Sequence, residues 1–265
     1  MKKLFTLVLS VMMVLSVFVG CQQEQEGSDL KYIQDKGKLL VGITDYAPMD
    51  FKDENGQWTG FDAEFAKLFA KELGVEVEFV LLADWGQKFY ELETKNIDVI
   101  WNGMTISDDV KLNTSCSNPY VYNAQVVIMK ADVAANYTDT ESLKGLSFIC
   151  EQGSVAEDAL KEIGITDYIT AENQEAALLE VKAGTSQACV IDITMARAMT
   201  GEGTNYAELA QVMTLTEEEY GVGFRKGSDV TAKFNEFMAE LMADGTLDAL
   251  AQKYGLTLIK NNEGK

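Results

Sequence analysis

A mainly apolar run that ends in polar residues is the part of this sequence best suited to binding a small molecule. Residues 97–101 are followed by Asn102-Gly103-Met104-Thr105 and then by Ser107-Asp108-Asp109. This order predicts the end of a strand, a tight loop and a capped helix. Because open α/β sheets bind ligands at loops after the carboxyl ends of strands, we interpret residues 101–105 as a ligand-binding loop.

Several kinds of chemistry are excluded by what the chain lacks. Its 265 residues include no histidine, and Arg197 and Arg225 are its only arginines. Imidazole-dependent metal sites and Ser-His or Cys-His catalytic pairs are therefore not expected. The 42 acidic and 22 basic residues give a formal net charge of −20, which disfavours a nucleic-acid partner. We expect no catalytic residue, no metal and no cofactor.

The beginning of the chain has the pattern of a targeting segment. Two lysines precede an apolar or small run over residues 4–20, and Cys21 follows directly. This predicts a signal peptide over residues 1–20. The end of that run resembles a bacterial lipobox, so we expect Cys21 to be lipidated and residues 21–29 to form a polar tether. Secretion with an unmodified cysteine is the alternative.

Strand and helix patterns alternate along the rest of the chain, which predicts two α/β lobes. Each is predicted to have a parallel sheet with helices on both faces, and neither is large enough to enclose a ligand alone. The predicted elements are strands at 39–43, 75–82, 97–101, 126–129, 146–150, 188–191 and 220–225, a hairpin over 51–60, and helices over 61–73, 85–94, 154–163, 175–183, 234–242 and 247–254.

Three cysteines follow Cys21 in the sequence, and their spacing matches no metal motif. Cys150 and Cys189 lie in apolar, strand-like runs, which predicts buried and inert thiols. A disulfide between these two strands is the alternative.

Several short motifs fall in one order along the chain: Gly60-Phe61-Asp62, Asn102-Gly103-Met104-Thr105-Ile106, Ser117-Asn118-Pro119-Tyr120, Gly153-Ser154, Asp192, Tyr220-Gly221-Val222-Gly223-Phe224-Arg225-Lys226-Gly227 and Asp244-Gly245-Thr246. Each motif is weak alone. Together they span roughly residues 30–258 and resemble the family 3 extracellular solute-binding proteins, the polar amino acid receptors of ABC importers.

The resemblance implies a two-lobed α/β structure, the type II-like periplasmic-binding-protein fold. Two hinge strands join the lobes, which close on a ligand in the cleft between them. Residues 30–122 and 220–265 would form lobe 1, and residues 123–219 would form lobe 2. The two crossovers would lie near residues 122–124 and 219–221.

The resemblance also assigns residues to the head group of an amino acid ligand. Asp192, which follows a lobe 2 strand, would accept the α-ammonium, although an N-cap role is also open. Gly103 and Thr105 match positions that contact the same head group. The backbone N–H groups of Gly153 and Ser154 would help to hold the carboxylate, or would belong to a plain helix cap.

One position departs from the family pattern. The family has an arginine four residues after Ile106, where it grips the α-carboxylate with two hydrogen bonds. This chain has Val110 there, which offers no donor. Lys111 points elsewhere on a helix, because neighbouring residues are about 100° apart. Neither arginine of the chain matches a cleft position.

Acidic and aromatic residues occupy other positions of the implied cleft. Asp45 and Glu151 follow predicted strands, and both could equally be solvated loop acids. Tyr46 and Trp85 match positions that sandwich ligand side chains in relatives, whereas Trp101 could equally pack in the core. Since carboxylates and aromatic rings suit a cation, we expect a ligand with an amine or other cationic group and a weak requirement for an α-carboxylate.

The resemblance predicts the receptor of an ABC importer, lipid-anchored on the extracellular face of a bacterial cell membrane. Its partners would be a small amino acid, amine or other cationic solute and an ABC permease, and we expect a monomer. A sensory receptor is an alternative, because the sequence does not distinguish it well from the receptor of an importer. A dehydratase on the same fold is less favoured, because that chemistry needs a grip on substrate carboxylates.

Overall fold

The computed structural model describes residues 27–260, so the predicted signal peptide and Cys21 lie outside the described residues. The strands are β1 (Lys38–Ile43), β2 (Phe51–Lys52), β3 (Trp58–Thr59), β4 (Glu76–Leu81), β5 (Val99–Thr105), β6 (Ser115–Cys116), β7 (Val121–Asn123), β8 (Gln125–Lys130), β9 (Phe148–Glu151), β10 (Tyr168–Ala171), β11 (Ala188–Asp192), β12 (Leu209–Thr214) and β13 (Glu218–Phe224). The α-helices are α1 (Asp29–Lys36), α2 (Phe61–Leu73), α3 (Lys88–Glu93), α4 (Asp108–Asn113), α5 (Ala131–Ala134), α6 (Ala156–Glu162), α7 (Gln174–Ala183), α8 (Ile193–Met199), α9 (Val230–Ala243) and α10 (Thr246–Tyr254). A 3₁₀ turn, Trp85–Gln87, precedes α3. None of these helices is both long and apolar enough to cross a lipid bilayer.

Two sheets, one in each lobe, organise the fold. The first has the order β4-β1-β5-β13-β6, with β7 also paired to β13, and the second has the order β10-β9-β11-β8-β12. Strands β4, β1 and β5 are parallel, as are β10, β9 and β11. Strands β13 and β8 run antiparallel to their neighbours. The prediction of two α/β lobes is confirmed, and each sheet has the predicted parallel strands together with antiparallel strands that the sequence did not indicate.

The chain passes between the two sheets twice. It leaves the first sheet at β7 and enters the second at β8, and it returns from β12 into β13. Strands β7 and β13 lie side by side, with Asn123 opposite Glu218 and Val121 opposite Tyr220. These two neighbouring strands are therefore the connection between the lobes, while the exact lobe boundaries at residues 122 and 220 stay a prediction.

The loop predicted at residues 101–105 is wrong, because strand β5 continues to Thr105. Met104 and Thr105 pair with Gly221 and Tyr220 of β13, a strand that is distant in sequence. Gly103 lies within β5 at φ 57°, and a Cβ there would lie 2.5 Å from the ring of Tyr46. The predicted cap is present: the Ser107 hydroxyl accepts the N–H of Val110 at the start of α4.

The core of lobe 1 is built around aromatic rings. Trp101 is fully buried, and its ring centroid lies 4.9 Å from that of Phe65 and 5.0 Å from that of Phe234, both nearly perpendicular. Such edge-to-face pairs add stability beyond the burial of apolar area. Phe234 belongs to α9, so the last helices of the chain pack back onto lobe 1.

The cysteines follow the prediction of buried thiols. Cys150 on β9 and Cys189 on β11 are both free and buried, on neighbouring strands of the second sheet. Burial raises the pKa of Cys150 to about 12, so its reactive thiolate form is scarce near neutral pH.

A pair of buried acids lies behind strand β5. Asp62 accepts the N–H of Gly103 at 2.6 Å and the hydroxyl of Tyr120 at 2.8 Å, which ties α2 to β5. Asp50 is fully buried, and in the described part of the chain neither of its carboxylate oxygens has a hydrogen-bond partner. Burial, reinforced by the nearby Asp62, raises the pKa of Asp50 well above its usual range. Burial also raises the pKa of Asp62 to about 7, against the hydrogen bonds that it accepts.

Replacing Asp50 by asparagine should stabilise the protein at alkaline pH. The folded-state pKa of Asp50 lies above its unfolded value, so its contribution to stability is full at low pH and is lost as pH rises through the folded pKa. We expect the stability of D50N relative to the wild type to be greater at pH 8 than at pH 4. Urea unfolding at both pH values measures the difference.

The exposed Asp132 supplies a matched control, because D132N removes one carboxylate without touching the buried pair. A D50N variant that is less stable than the wild type at pH 8 would contradict this account of Asp50.

Candidate functional site

A cavity of about 80 Å³ lies between the two lobes. Lobe 1 contributes the 3₁₀ turn, the end of β5 and the start of α4, and lobe 2 contributes the ends of β9 and β11 with the loop before α6. Most of the residues predicted from the sequence line it: Tyr46, Trp85, Gly103, Thr105, Glu151, Ser154 and Asp192. Val110 also lines it, so the position of the missing arginine does face the cleft.

Two of the predicted ligand-binding residues do not line this cavity. Trp101 belongs to the aromatic core of lobe 1, which is the alternative that the sequence left open. Asp45 is exposed, while its neighbour Tyr46 turns inward and is buried. Neither Trp101 nor Asp45 therefore lines the cavity.

Asp192 is held by three side-chain amides at the end of β11. Its Oδ1 accepts from Asn123 and, at 2.7 Å, from Gln125, and its Oδ2 accepts from Gln174. The side chain forms no capping hydrogen bond with α8. Burial raises the pKa of Asp192 to about 6, helped by the charge of Glu218 and opposed by the amide hydrogen bonds. Since a carboxylate has about four acceptor positions, these amides leave capacity for a ligand.

Glu218 joins this network from the crossing strand β13, and sequence reasoning missed it. Its Oε2 accepts from the Thr105 hydroxyl at 2.9 Å, from Asn123 at 3.0 Å and from Gln125 at 3.1 Å. Thr105, Asn123 and Gln125 belong to three different strands, so one carboxylate ties the strands of both lobes together. The sequence signal was a polar Asn-x-Gln pattern at the first crossover facing the Glu-rich segment at the second.

Glu151 is the second buried carboxylate of the cavity. It ends β9, is only 5% exposed, and makes no ion pair within 4 Å among residues 27–260. Burial raises its pKa to about 8, helped by the charge of Asp192 and opposed by Gln174 and Lys88. In this closed, unliganded arrangement Glu151 is therefore largely protonated at pH 7, and a cation beside it would favour its ionised form.

The backbone N–H groups of the Gly153–Ser154 loop have partners within the chain. The N–H of Gly153 donates to Glu157 at 2.8 Å, and the N–H of Ser154 donates to the carbonyl of Glu151 at 3.3 Å. The Ser154 hydroxyl donates to the same carbonyl at 2.9 Å. The loop lines the cavity, but these N–H groups are not free to hold a carboxylate in this arrangement.

Lys88 is a cation in the cleft that sequence reasoning missed. It begins α3, is only 6% exposed, and is the one basic side chain among the described residues that line the cavity. Its Nζ lies 4.9 Å from the ring centroid of Trp85 and 4.8 Å from that of Phe89. Burial lowers its pKa to about 8, and the charge of Glu151 opposes this most. The available signal in the sequence was a lysine that lies at helical spacing from Trp85 and directly precedes Phe89.

The two lobes touch across the cleft. The Lys88 Nζ donates to the carbonyl of Gly153 at 3.1 Å, and the Gln152 amide donates to Asp84 at 3.1 Å. Gly153 packs so closely that an added Cβ would lie 2.4 Å from the Cα of Gly86. These contacts show the cleft in a closed arrangement, in which only glycine fits at position 153.

Replacing Glu151 by glutamine should stabilise the unliganded protein at high pH. The folded-state pKa of about 8 exceeds the ordinary value of 4.5, so stability is lost as pH rises through about 8. We expect E151Q to gain on the order of a few kcal/mol at pH 8.5 and much less at pH 5. Thermal unfolding across this pH range measures the gain.

The exposed Glu172 offers a control for the same chemical change, E172Q, outside the cleft. Equal effects of E151Q at pH 5 and pH 8.5 would show that Glu151 is already ionised and compensated in the free protein.

Comparisons with known proteins agree with this architecture. The family model for bacterial extracellular solute-binding proteins, family 3, matches residues 39–257. The L-cystine-binding protein TcyJ of Escherichia coli (strain K12) is 30% identical over 228 residues, which cover 85% of each chain.

Two solved structures share the fold. The P235GK mutant of ArgBP from T. maritima superposes with a TM-score of 0.78 at 31% identity, over 85% of this chain and 98% of that one. The ancestral amino acid-binding protein AncCDT-1, a precursor of cyclohexadienyl dehydratase, superposes with a TM-score of 0.77 at 35% identity, over 86% of this chain and 99% of that one. The chain belongs to the bacterial extracellular solute-binding proteins, family 3, and has their two-lobed α/β fold.

Proposed function

We propose that this protein is the lipid-anchored extracellular receptor of an ABC importer for a small, amino-acid-like solute that carries an amine or other cationic group. The observation that carries the proposal is the pair of buried carboxylates, Asp192 and Glu151, in one closed cavity. Tyr46 and Trp85 line the same cavity and supply aromatic surface for a cation.

The electrostatics of the cavity favour a cation over an anion. Burial disfavours the ionised forms of Asp192 and Glu151, and the charge of Asp192 makes the ionisation of Glu151 costlier still. A ligand ammonium would reverse this, since it brings a positive charge and several N–H donors to both carboxylates. The amide cage fixes Asp192 beforehand, so its oxygens need little reorganisation on binding.

The relatives support the same class of ligand. TcyJ is named for L-cystine, ArgBP for arginine, and AncCDT-1 as an amino acid-binding protein. An amine is common to these ligands. Val110 cannot bind the α-carboxylate as the arginine of the family does. The proposal therefore requires an amine on the ligand and does not assign a position to any acidic group.

Delivery to a permease would use the closed form of the two lobes. In the closed form Gly86 and Gly153 are in contact across the cleft. Lipidation of Cys21 would keep the receptor near its permease. Metabolic labelling with an alkyne fatty acid tests the anchor: the wild type should be labelled and C21S should not.

We propose that the protein binds its ligand without transforming it. A dehydratase would need a positioned acid and a cationic grip on substrate carboxylates. Glu151 has a pKa suited to a general acid, but the described cavity lining offers a single basic side chain, Lys88, for the several carboxylates of such a substrate. Mass spectrometry of solutes after prolonged incubation should therefore show no product.

Asp192 should be essential for affinity. We expect a thermal-shift screen to select solutes among arginine, lysine, ornithine, histidine, cystine, agmatine and putrescine, with no shift for glutamate or leucine. For the best ligand, D192N should weaken binding about 10- to 150-fold in calorimetry, because a hydrogen bond to a charged group is worth about 1.5–3 kcal/mol.

The D45N variant separates this site from the one that the sequence predicted. Asp45 is exposed and lies outside the cavity lining, so its substitution should leave affinity unchanged. Tighter binding of glutamate or leucine than of every tested solute with a cationic side chain or a second amine would overturn the proposed ligand class.

A further inference from the structure

Lys88 is a buried cation without an ion-pair partner. Among residues 27–260, no carboxylate oxygen lies within 4 Å of its Nζ, although the residue is almost completely buried. Buried charges in proteins are normally paired or fully hydrogen-bonded, because an uncompensated charge is costly away from water. The cavity thus contains one ammonium that no carboxylate of the described chain balances at close range.

The hydrogen bonds of Lys88 are also incomplete. An ammonium has three N–H donors. The carbonyls of Trp85 and Gly153 accept at 3.3 Å and 3.1 Å, and no third acceptor lies within 3.5 Å in the described part of the chain. Because Lys88 lines the cavity, a bound molecule can supply the acceptor that the protein does not.

Lys88 shares the cavity with Val110. Valine has no donor, so the cavity's only remaining cationic donor in the described lining comes from α3 rather than from α4. The carboxylates Asp192 and Glu151 end strands of lobe 2, whereas Lys88 belongs to lobe 1. The two signs of charge thus come from opposite lobes.

We propose that Lys88 binds an acidic group of the ligand in place of the arginine that is absent at position 110. The ligand is then a zwitterion whose amine contacts Asp192 and Glu151 and whose acid contacts Lys88. The requirement for an acidic group is moved to another wall of the cleft rather than weakened. This inference rests on the proposed function, because it assumes an amine-bearing ligand in this cavity.

The alternative role for Lys88 is to hold the lobes together through its bond to Gly153. That bond crosses the cleft and would form with any ligand. A closing contact alone would affect acidic and non-acidic ligands equally, whereas an acid-binding role affects only ligands that have the acid. The two roles therefore differ in a measurable way.

Matched ligand pairs that differ only in one carboxylate test the proposal. The pairs are arginine with agmatine, lysine with cadaverine, and ornithine with putrescine. Calorimetry with the wild type should show about 10-fold or more tighter binding of the acid in at least one pair, since a hydrogen bond to a charged group is worth about 1.5–3 kcal/mol.

Variants at position 88 assign that preference. K88M should remove the preference, so that arginine and agmatine bind within about threefold of each other. K88R should retain part of it. K88Q keeps a donor for the Gly153 carbonyl without the charge, and it replaces K88M if circular dichroism shows that K88M is unfolded.

The outcomes separate this inference from the proposed function. A preference for the acid that persists in K88M or K88Q, an equal loss for both members of a pair, or no preference in the wild type would overturn the role of Lys88 alone. Absence of binding by all six compounds and by histidine and cystine would overturn the proposed ligand class, and the role of Lys88 with it.

Discussion

The burial of negative charge where two lobes meet is the constraint on which the rest of this site depends. Asp192 and Glu151 lie almost completely out of water, and both have raised pKa values because burial disfavours their ionised forms. Three amides compensate Asp192, but little in the described chain compensates Glu151 at close range. A cation in the cleft relieves this penalty. The uncompensated negative charge of the site is therefore the source of its selectivity for cationic ligands.

The fold brings these groups together through its two crossing strands. Asn123 and Gln125 flank the first crossover, Glu218 begins the strand of the second, and hydrogen bonds join them to Thr105 and Asp192. The same strands connect the lobes, so any change in the angle between the lobes acts directly on the network around Asp192. Closure of the lobes and the arrangement of the charged groups are therefore coupled, because these groups lie within a few residues of the crossovers.

The sequence predicted the elements with strong periodicity, and it predicted the fold and most of the cleft residues through resemblance. It failed where partners are distant along the chain. Residues 101–105 look like a loop because β13, which pairs with Thr105, comes more than a hundred residues later. Edge strands β10 and β12 are half-exposed and have weak apolar patterns. Lys88 was missed because its burial depends on the rings of Trp85 and Phe89 and on the opposite lobe, which no local pattern shows.

The proton balance of ligand binding tests the central claim most directly. Calorimetric titrations of one amine-bearing ligand in buffers with different ionisation enthalpies count the protons exchanged. Because Glu151 has a pKa of about 8 in the closed, unliganded cleft and would ionise beside a bound ammonium, the account predicts release of about half to one proton per ligand at pH 7. The release from Glu151 should fall as pH rises above 8, because Glu151 is then already ionised before the ligand binds. Binding heats that do not depend on the buffer at pH 7 would contradict the account, since they would mean that the buried acids keep their protonation when the ligand binds.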